Sequence, residues 1–270
     1  MKSAPAGIRK VGASVRRQRI LEALAGRAEV GVSALAARCR VTAMTIRRDL
    51  ELLEREGRLM RTHGGAMLAA SAMVAFAFER RQQVHLAEKT AIARDAARLI
   101  QPGMTVILDT GTTTLEVARH LGGVPGLKVL TNSLAIASAL LAHPGLELVL
   151  LGGTVSAHSP DLSGLLTEDN LASFRANVAV IGADAVDARG LYTSSQPIAR
   201  VSRAMIANAA RTVLVADSSK FGNTAFTRFA GWSQIHQLIT DNGLPSAARR
   251  WIHKAVRCRI VKPAGNGGRA

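Results

Sequence analysis

Thr42-Ala43-Met44-Thr45-Ile46-Arg47-Arg48-Asp49-Leu50, continued by Glu51-Leu52-Leu53, is the stretch on which the reading of the chain turns. Ile46, Leu50 and Leu53 recur at helical spacing and face a core, so Met44, Arg48, Glu51 and Arg55 point the opposite way, flanked by Thr45 and Arg47. That outward face is polar, and basic toward its N-terminal end. In a helix-turn-helix the first residues of the second helix of the motif reach base edges, and the planar arginine fork matches guanine O6 and N7. Met44, Thr45 and Arg48 are therefore candidates for reading bases, with Thr42 at the head of the same helix. Arg47, Arg61 and His63 are candidates for phosphate contacts. The bland alternative is a basic helix face that is merely solvated.

Two further apolar stripes precede this helix. Ile20, Leu21 and Leu24 form one, and Leu35, Ala36 and Cys39 form the other, with Ser33 read as its N-cap. After it, Arg58–Leu68 carries extended-type residues around Gly64-Gly65, a pattern for a short hairpin. Three helices and a hairpin make a winged helix-turn-helix over residues 15–68, behind a loose arm at 1–14 and ahead of a linker at 69–86.

Charge supports a polyanionic partner for this end. Residues 1–66 hold 14 Lys/Arg against 6 Asp/Glu, residues 67–240 hold 14 against 12, and residues 241–270 hold 7 against 1. Cations that neutralise phosphates release condensed counterions and gain affinity, so the N-terminal excess suits double-stranded DNA. A length of 270 residues favours two domains, and 48% hydrophobic residues with only 3% aromatics imply a core of Ala, Val, Leu and Ile. Cys39 and Cys258 have no CxxC spacing, and the seven histidines show no ligand spacing, so neither a disulfide framework nor a metal site is expected. No cofactor is expected either. No apolar run approaches the roughly 18–20 residues of a membrane span, which points to a cytoplasmic protein without a membrane partner.

From residue 87 the pattern changes. Thr105–Leu108, Lys128–Leu130, Glu147–Leu151, Val178–Ile181, Thr212–Ala216 and Gln237–Thr240 read as short strands. Between them lie amphipathic segments such as Thr113–Leu121, Ser133–Ala142 and Ala199–Ala209. Such alternation predicts an α/β domain, a Rossmann-like parallel sheet covered on both faces, over residues 87–262, with a loose tail at 263–270. The basic stretch from Ser246 reads first as a final helix and strand, with additional phosphate contacts as the sharper alternative.

Polar clusters follow the strands: Asp109 to Thr114, Thr131-Asn132-Ser133, Gly152-Gly153-Thr154, Gly182-Ala183-Asp184 and Asp217 to Lys220. In open α/β sheets the ligand crevice lies outside the carboxyl ends of the strands, where these clusters should converge. Gly allows close backbone approach, hydroxyls and helix-terminal amides satisfy phosphate oxygens, and Lys220 adds positive charge. The candidate effector-binding set is Asp109, Gly111, Thr112, Thr113, Thr114, Asn132, Gly152, Gly153, Asp184, Asp217 and Lys220.

Arg17-Gln18-Arg19-Ile20-Leu21, the Val41–Leu50 helix and the wing Arg61-Thr62-His63-Gly64-Gly65-Ala66 together resemble the DeoR family of bacterial regulators of sugar metabolism. The resemblance runs to about Asp241. It implies a sensor domain similar in fold to ribose-5-phosphate isomerase, binding a phosphorylated sugar or related metabolite. Asp109, Gly111, Thr112, Thr113, Asn132, Gly152, Gly153, Gly164, Asp217 and Lys220 match its pattern. Gln196–Ser202 departs, placing Arg200 where the family usually shows acidic residues and a Lys. The expected function is a repressor of carbohydrate-metabolism genes, a homo-oligomer on operator half-sites that a sugar phosphate releases. An isomerase-like enzyme, using Asp109, Asp184 and Lys220 for proton transfer, is one alternative. A regulator whose α/β domain serves only oligomerisation is the other.

Overall fold

The computed structural model describes residues 12–25, 27, 29–156 and 159–264, so most of the expected arm and tail lies outside the described residues. The chain forms two compact units, Met1–Ala77 and Phe78–Ala270.

The first unit contains α1 (Ala13–Leu24), β1 (Val30–Gly31), α2 (Val32–Cys39), α3 (Ala43–Arg55), β2 (Leu59–Arg61) and β3 (Gly65–Leu68), the strands pairing in the order β1-β3-β2. Ile20, Leu21, Leu24, Leu35, Ile46, Leu50, Leu53 and Leu59 form its core, each almost fully buried. The three predicted stripes therefore meet. Ser33 is not a cap: α2 starts one residue before it, with Gly31 at the N-cap. The reason is tertiary, because β1 pairs with β3 and the Val32 amide donates to the Gly64 carbonyl (2.9 Å). That pairing needs glycine at 65, where a Cβ would lie 2.2 Å from the Val30 carbonyl oxygen.

The stretch expected as a linker is largely α4 (Ala70–Gln83), and the boundary between the units falls inside it. Its Ala, Glu, Arg and Gln content, free of Gly and Pro, favours helix over an irregular connection.

In the second unit α5 (Leu86–Ala97), β4 (Thr105–Leu108), α6 (Thr112–Arg119), β5 (Lys128–Thr131), α7 (Leu134–Leu140) and β6 (Glu147–Leu150) come first. The antiparallel pair β7 (Thr154–Ser156) and β8 (Ser159–Ser163) leads to α8 (Leu165–Ala172) and β9 (Val178–Ile181). Then follow β10 (Ala185–Asp187), β11 (Gly190–Thr193), α9 (Gln196–Ala207), β12 (Thr212–Val215), β13 (Thr227–Ala230), β14 (Gln237–Asp241), α10 (Ser246–Ala255) and β15 (Arg257–Val261). Seven strands form one parallel sheet ordered β15-β14-β12-β9-β4-β5-β6. Alternate side chains serve separate cores: Ile107 joins one with Leu214 and Met205, while Val106 and Leu108 join the other with Ile92 and Leu121. Both faces are buried, which is why the strands read as continuous apolar runs. The basic C-terminal stretch supplies the final helix and strand, α10 and β15, as first read.

The order in which successive strands are laid across the parallel sheet reverses between β4 and β9, since β5 and β6 lie on one side of β4 and β9, β12, β14 and β15 on the other. A crevice opens at such a switch point, at the carboxyl ends of the strands.

Candidate DNA interface and ligand crevice

On α3, Thr42 caps the helix by accepting from the Thr45 amide (3.3 Å), and the two hydroxyls lie 3.0 Å apart. A one-residue left-handed turn at Arg40 (φ 55°) swings the chain from α2 into α3. Arg16 and the Asp49 carboxylate form a two-bond fork, with Nη2 to Oδ1 at 3.1 Å, which ties α1 to the inward side of α3. The hydrogen bond to Asp49 raises Arg16 above its ordinary value, against the opposing effect of burial. Met44 is 56% exposed. Arg47 and Arg48 are exposed and make no ion pair among the described residues. These three side chains are the uncommitted groups at the head of α3.

The wing is held differently. Arg61 already pairs with Glu51 (3.0 Å) and Glu54 (3.3 Å) of α3, so a phosphate would have to displace those partners. His63 lies exposed in the turn between β2 and β3. Thr62 donates to Glu29 and accepts from the Gly65 amide at 3.0 Å, which fixes the turn.

In the crevice Asp109 follows β4 directly and is 4% exposed. Its carboxylate accepts from the Thr110 amide (2.8 Å) and, across the switch point, from the Gly182 amide (3.2 Å). Burial, reinforced by the charges of Asp161 and Asp184 and opposed by those two bonds, pushes its carboxyl up to about 7. Gly111 (φ 123°) opens α6. Thr112 is half-buried and Thr113 buried beside the helix N-terminus, whereas Thr114 is buried and donates to the Gly111 carbonyl (3.0 Å), so its hydroxyl serves the turn.

Asn132, wholly buried at the end of β5, donates to the Leu162 carbonyl (2.7 Å), while its Oδ1 has no hydrogen-bond partner among the described residues. Asp184 is exposed and accepts from Thr193 Oγ1 (3.1 Å) and the Ser194 amide (2.8 Å), shaping the approach to α9. Asp217, 1% exposed after β12, accepts from the Ser219 amide (3.1 Å) and the Ser219 hydroxyl. Lys220 is half-buried and has no ion pair among the described residues.

Gly152 (φ 69°) and Gly153 (φ 125°) stand apart. The Gly152 carbonyl accepts from Thr167 (2.7 Å), and a Cβ on Gly153 would lie 2.1 Å from Thr167 Oγ1. This cluster packs the end of β6 onto α8. The sheet order also spreads the five clusters over four strand spacings, roughly 19 Å. The ends of β12, β9, β4 and β5 thus form the continuous polar rim.

Residue reasoning missed Lys89, which is 4% exposed on α5. Its ammonium donates to the Arg81 carbonyl and to the Val84 carbonyl (2.6 Å). Burial pushes it below the ordinary lysine value, against the pull of Asp217 and with the push of Lys220. The signal was there, because Ile92, Ala93 and Ala96 share its helix face and all three are buried. Arg200, the departing residue before β12, is held by Glu168 of α8 through three contacts of 3.0–3.1 Å.

A basic recognition helix in a winged unit, joined in one chain to a parallel sheet with a polar rim at its switch point, defines a two-domain helix-turn-helix regulator. The chain belongs to the DeoR family: residues 16–72 match the DeoR-like helix-turn-helix domain and residues 84–242 the DeoR C terminal sensor domain. It is 35% identical to the HTH-type transcriptional repressor CsqR of Escherichia coli K12 over 92% of this chain and 95% of that one. It is 36% identical to the HTH-type transcriptional repressor GlcR of Bacillus subtilis over 76% and 78%. It is 34% identical to the transcriptional repressor AccR of Agrobacterium fabrum over 84% and 89%. Among solved structures, ribose 5-phosphate isomerase A of Methanocaldococcus jannaschii aligns over 49% of this chain and 53% of that one, at 20% identity and a TM-score of 0.36. A likeness of that size assigns no chemistry. Among the described residues no helix is long and apolar enough to cross a membrane.

Proposed function

We propose that the protein is a cytoplasmic, homo-oligomeric transcriptional repressor whose operator binding is relieved by a phosphorylated sugar or related metabolite. The observation that carries this reading is the pairing, in one chain, of exposed Arg47 and Arg48 on α3 with the rim around Asp109. Arg48 reads guanine, Met44 and Thr45 contact neighbouring base edges, and Arg47 and His63 hold phosphates. In the rim, the α6 N-terminus with Thr112 and Thr113, together with Lys220, takes the phosphate. Asp109 and the unmet Asn132 Oδ1 accept from sugar hydroxyls.

Repressor function is also what the names of the relatives describe. The experiment is binding to DNA from upstream of the protein's own gene, at fixed salt, with and without a panel of sugar phosphates. Weakening by one compound, within the 5–150-fold range usual for allosteric coupling, supports the reading. Specific binding that no compound alters overturns the sensor half of it.

One observation favours a second reading. A carboxyl held at about 7 in a crevice is suited to proton transfer, as an aldose–ketose isomerase requires. The sensor reading predicts no turnover of pentose or hexose phosphates. Turnover that disappears in Lys220→Ala would replace it.

A further inference from the structure

The seven-stranded sheet ends differently on its two sides. β15 carries Arg257 and Arg259, with Lys262 and Pro263 directly after it, the kinds of residue that keep an edge strand from pairing with another chain. β6 at the opposite edge reads Glu-Leu-Val-Leu, and its one charge, Glu147, is held by Lys128 of β5 (2.8 Å). The Glu147 and Leu151 amides donate to the Leu127 and Thr131 carbonyls (2.9 Å each). By the period of two, Leu148 and Leu150 then turn their own amides and carbonyls away from β5, toward the open side of the sheet.

The surface around that edge is apolar. α7 consists of Leu, Ala, Ile and one Ser without a charge, and a helix that is apolar all round belongs in a core. Leu134 and Leu141 are nevertheless exposed at its two ends. Leu150 on β6, Val155 on β7, and Leu165 and Leu166 at the start of α8 are exposed as well, the last two at 68% and 58%. Leu166 Cδ2 lies 3.7 Å from where a Cβ on Gly152 would stand, just past the end of β6. Monomeric proteins seldom leave apolar surface gathered in this way beyond a few hundred square ångströms.

Charge selects the occupant. Residues 129–174 hold no Lys or Arg against four Asp/Glu, in a chain whose formal net charge is +16. Two copies repel one another wherever their cations face, and this surface has none to face. A two-fold axis across β6 also gives each edge what it lacks, because antiparallel edges exchange amides for carbonyls and the same leucines cover one another. We propose that the β6 edge, flanked by α7 and the start of α8, is the face on which two copies of this chain pair, joining their sheets. The proposal rests on the homo-oligomer of the function proposed above and supplies its contact, wholly within the second unit.

Sedimentation velocity on the full chain, without DNA or ligand, tests the face. The wild type should sediment as a dimer or an even multiple of one. Leu150→Lys and Leu165→Glu each bury a charge twice over in a symmetric contact, and should weaken pairing roughly a hundredfold or more. If Leu150→Lys does not fold, Leu165→Glu carries the test, its side chain being largely in solvent in the single chain. Ile260→Lys, on the β15 edge, should leave the mass unchanged. Added salt should tighten the wild-type pairing, since it screens the repulsion of two cationic copies and spares an apolar contact. A monomeric wild type would overturn the face and the homo-oligomer together. An oligomer left intact by both the Leu150 and Leu165 variants would overturn the face alone. Dissociation by Ile260→Lys, or by salt, would show instead a head-to-tail contact between the basic edge and the acidic one, and would likewise overturn the face.

Discussion

The head of α3 and the rim of the parallel sheet draw on the same kinds of residue, threonines with charged side chains beside them, and use them in opposite ways. On α3 Arg47 and Arg48 are exposed and make no ion pair among the described residues. In the rim Asp109, Asn132 and Asp217 are buried, and each already accepts or donates hydrogen bonds within the fold. Buried polar groups have to be satisfied, whereas exposed ones are satisfied by water. The first region can therefore be altered with little effect on stability. The second cannot, because its side chains hold the loops whose shape is the site.

Asp109→Asn should sharpen this contrast most. The folded value of about 7 lies above the ordinary 3.8, so the folded protein keeps a proton that the unfolded chain gives up. Stability from this carboxyl is full below about pH 4 and is lost as pH rises through 7, about 4 kcal/mol in all. The amide has no charge to bury. Urea midpoints should therefore favour the variant above pH 7 and draw level near pH 4. Parallel curves for variant and wild type would place Asp109 in a wetter site than its burial indicates.

Gly153→Ala comes next. A side chain there meets Thr167 Oγ1 and the Ser163 carbonyl at 2.1 and 2.8 Å, in a backbone region that alanine seldom adopts. A loss of about 3 kcal/mol by chemical denaturation is expected. A neutral result would mean that the β6–α8 corner yields easily, and that its glycines are free to serve a ligand.

Arg48→Ala should leave the denaturation midpoint in place and weaken operator binding by about 1–3 kcal/mol, roughly 5–150-fold. If non-specific DNA suffers equally, Arg48 holds a phosphate and the base contact belongs to another residue. The smallest effect has the opposite sign. Arg40→Gly relieves a left-handed non-glycine turn and should raise the stability of the DNA-binding unit by about 0.5–1 kcal/mol. Differential scanning calorimetry that shows a fall would mean that the Arg40 side chain itself supports the turn.

Much of this architecture can be read directly from the chain. The spacing of Ile46, Leu50 and Leu53 places α3 and its outward face, and the six apolar runs coincide with six of the seven strands of the parallel sheet. These features are local, because a period of 3.6 or a short apolar run bounded by turn residues is written in neighbouring positions. β15 is legible only as the strand ending the basic tail, since charges alternate along it at the exposed edge of the sheet. The antiparallel β7–β8 and β10–β11 pairs are not legible in the sequence, their strands being three to five residues long with mixed polarity.

The site divides along the same line. That polar clusters follow the strands is visible in sequence, and the parallel order brings their ends to one edge. Which of those residues are spent inside the fold is not visible. Thr114 serves the Gly111 turn, Gly152 and Gly153 serve α8, and Arg61 is taken by Glu51 and Glu54. The partner of Asp49 lies 33 positions away, and Asp109 meets an amide 73 positions away.

Local periodicity and short motifs carry the two-part plan, the basic reading helix, the parallel α/β sheet and the family, so all four are legible before the chain folds. The strand order that makes β4 and β9 the switch point, the burial that raises Asp109, and the commitment of Lys89 to the end of α4 emerge from long-range packing. Those depend on which distant segments meet and how much water their meeting excludes, and no local pattern records either.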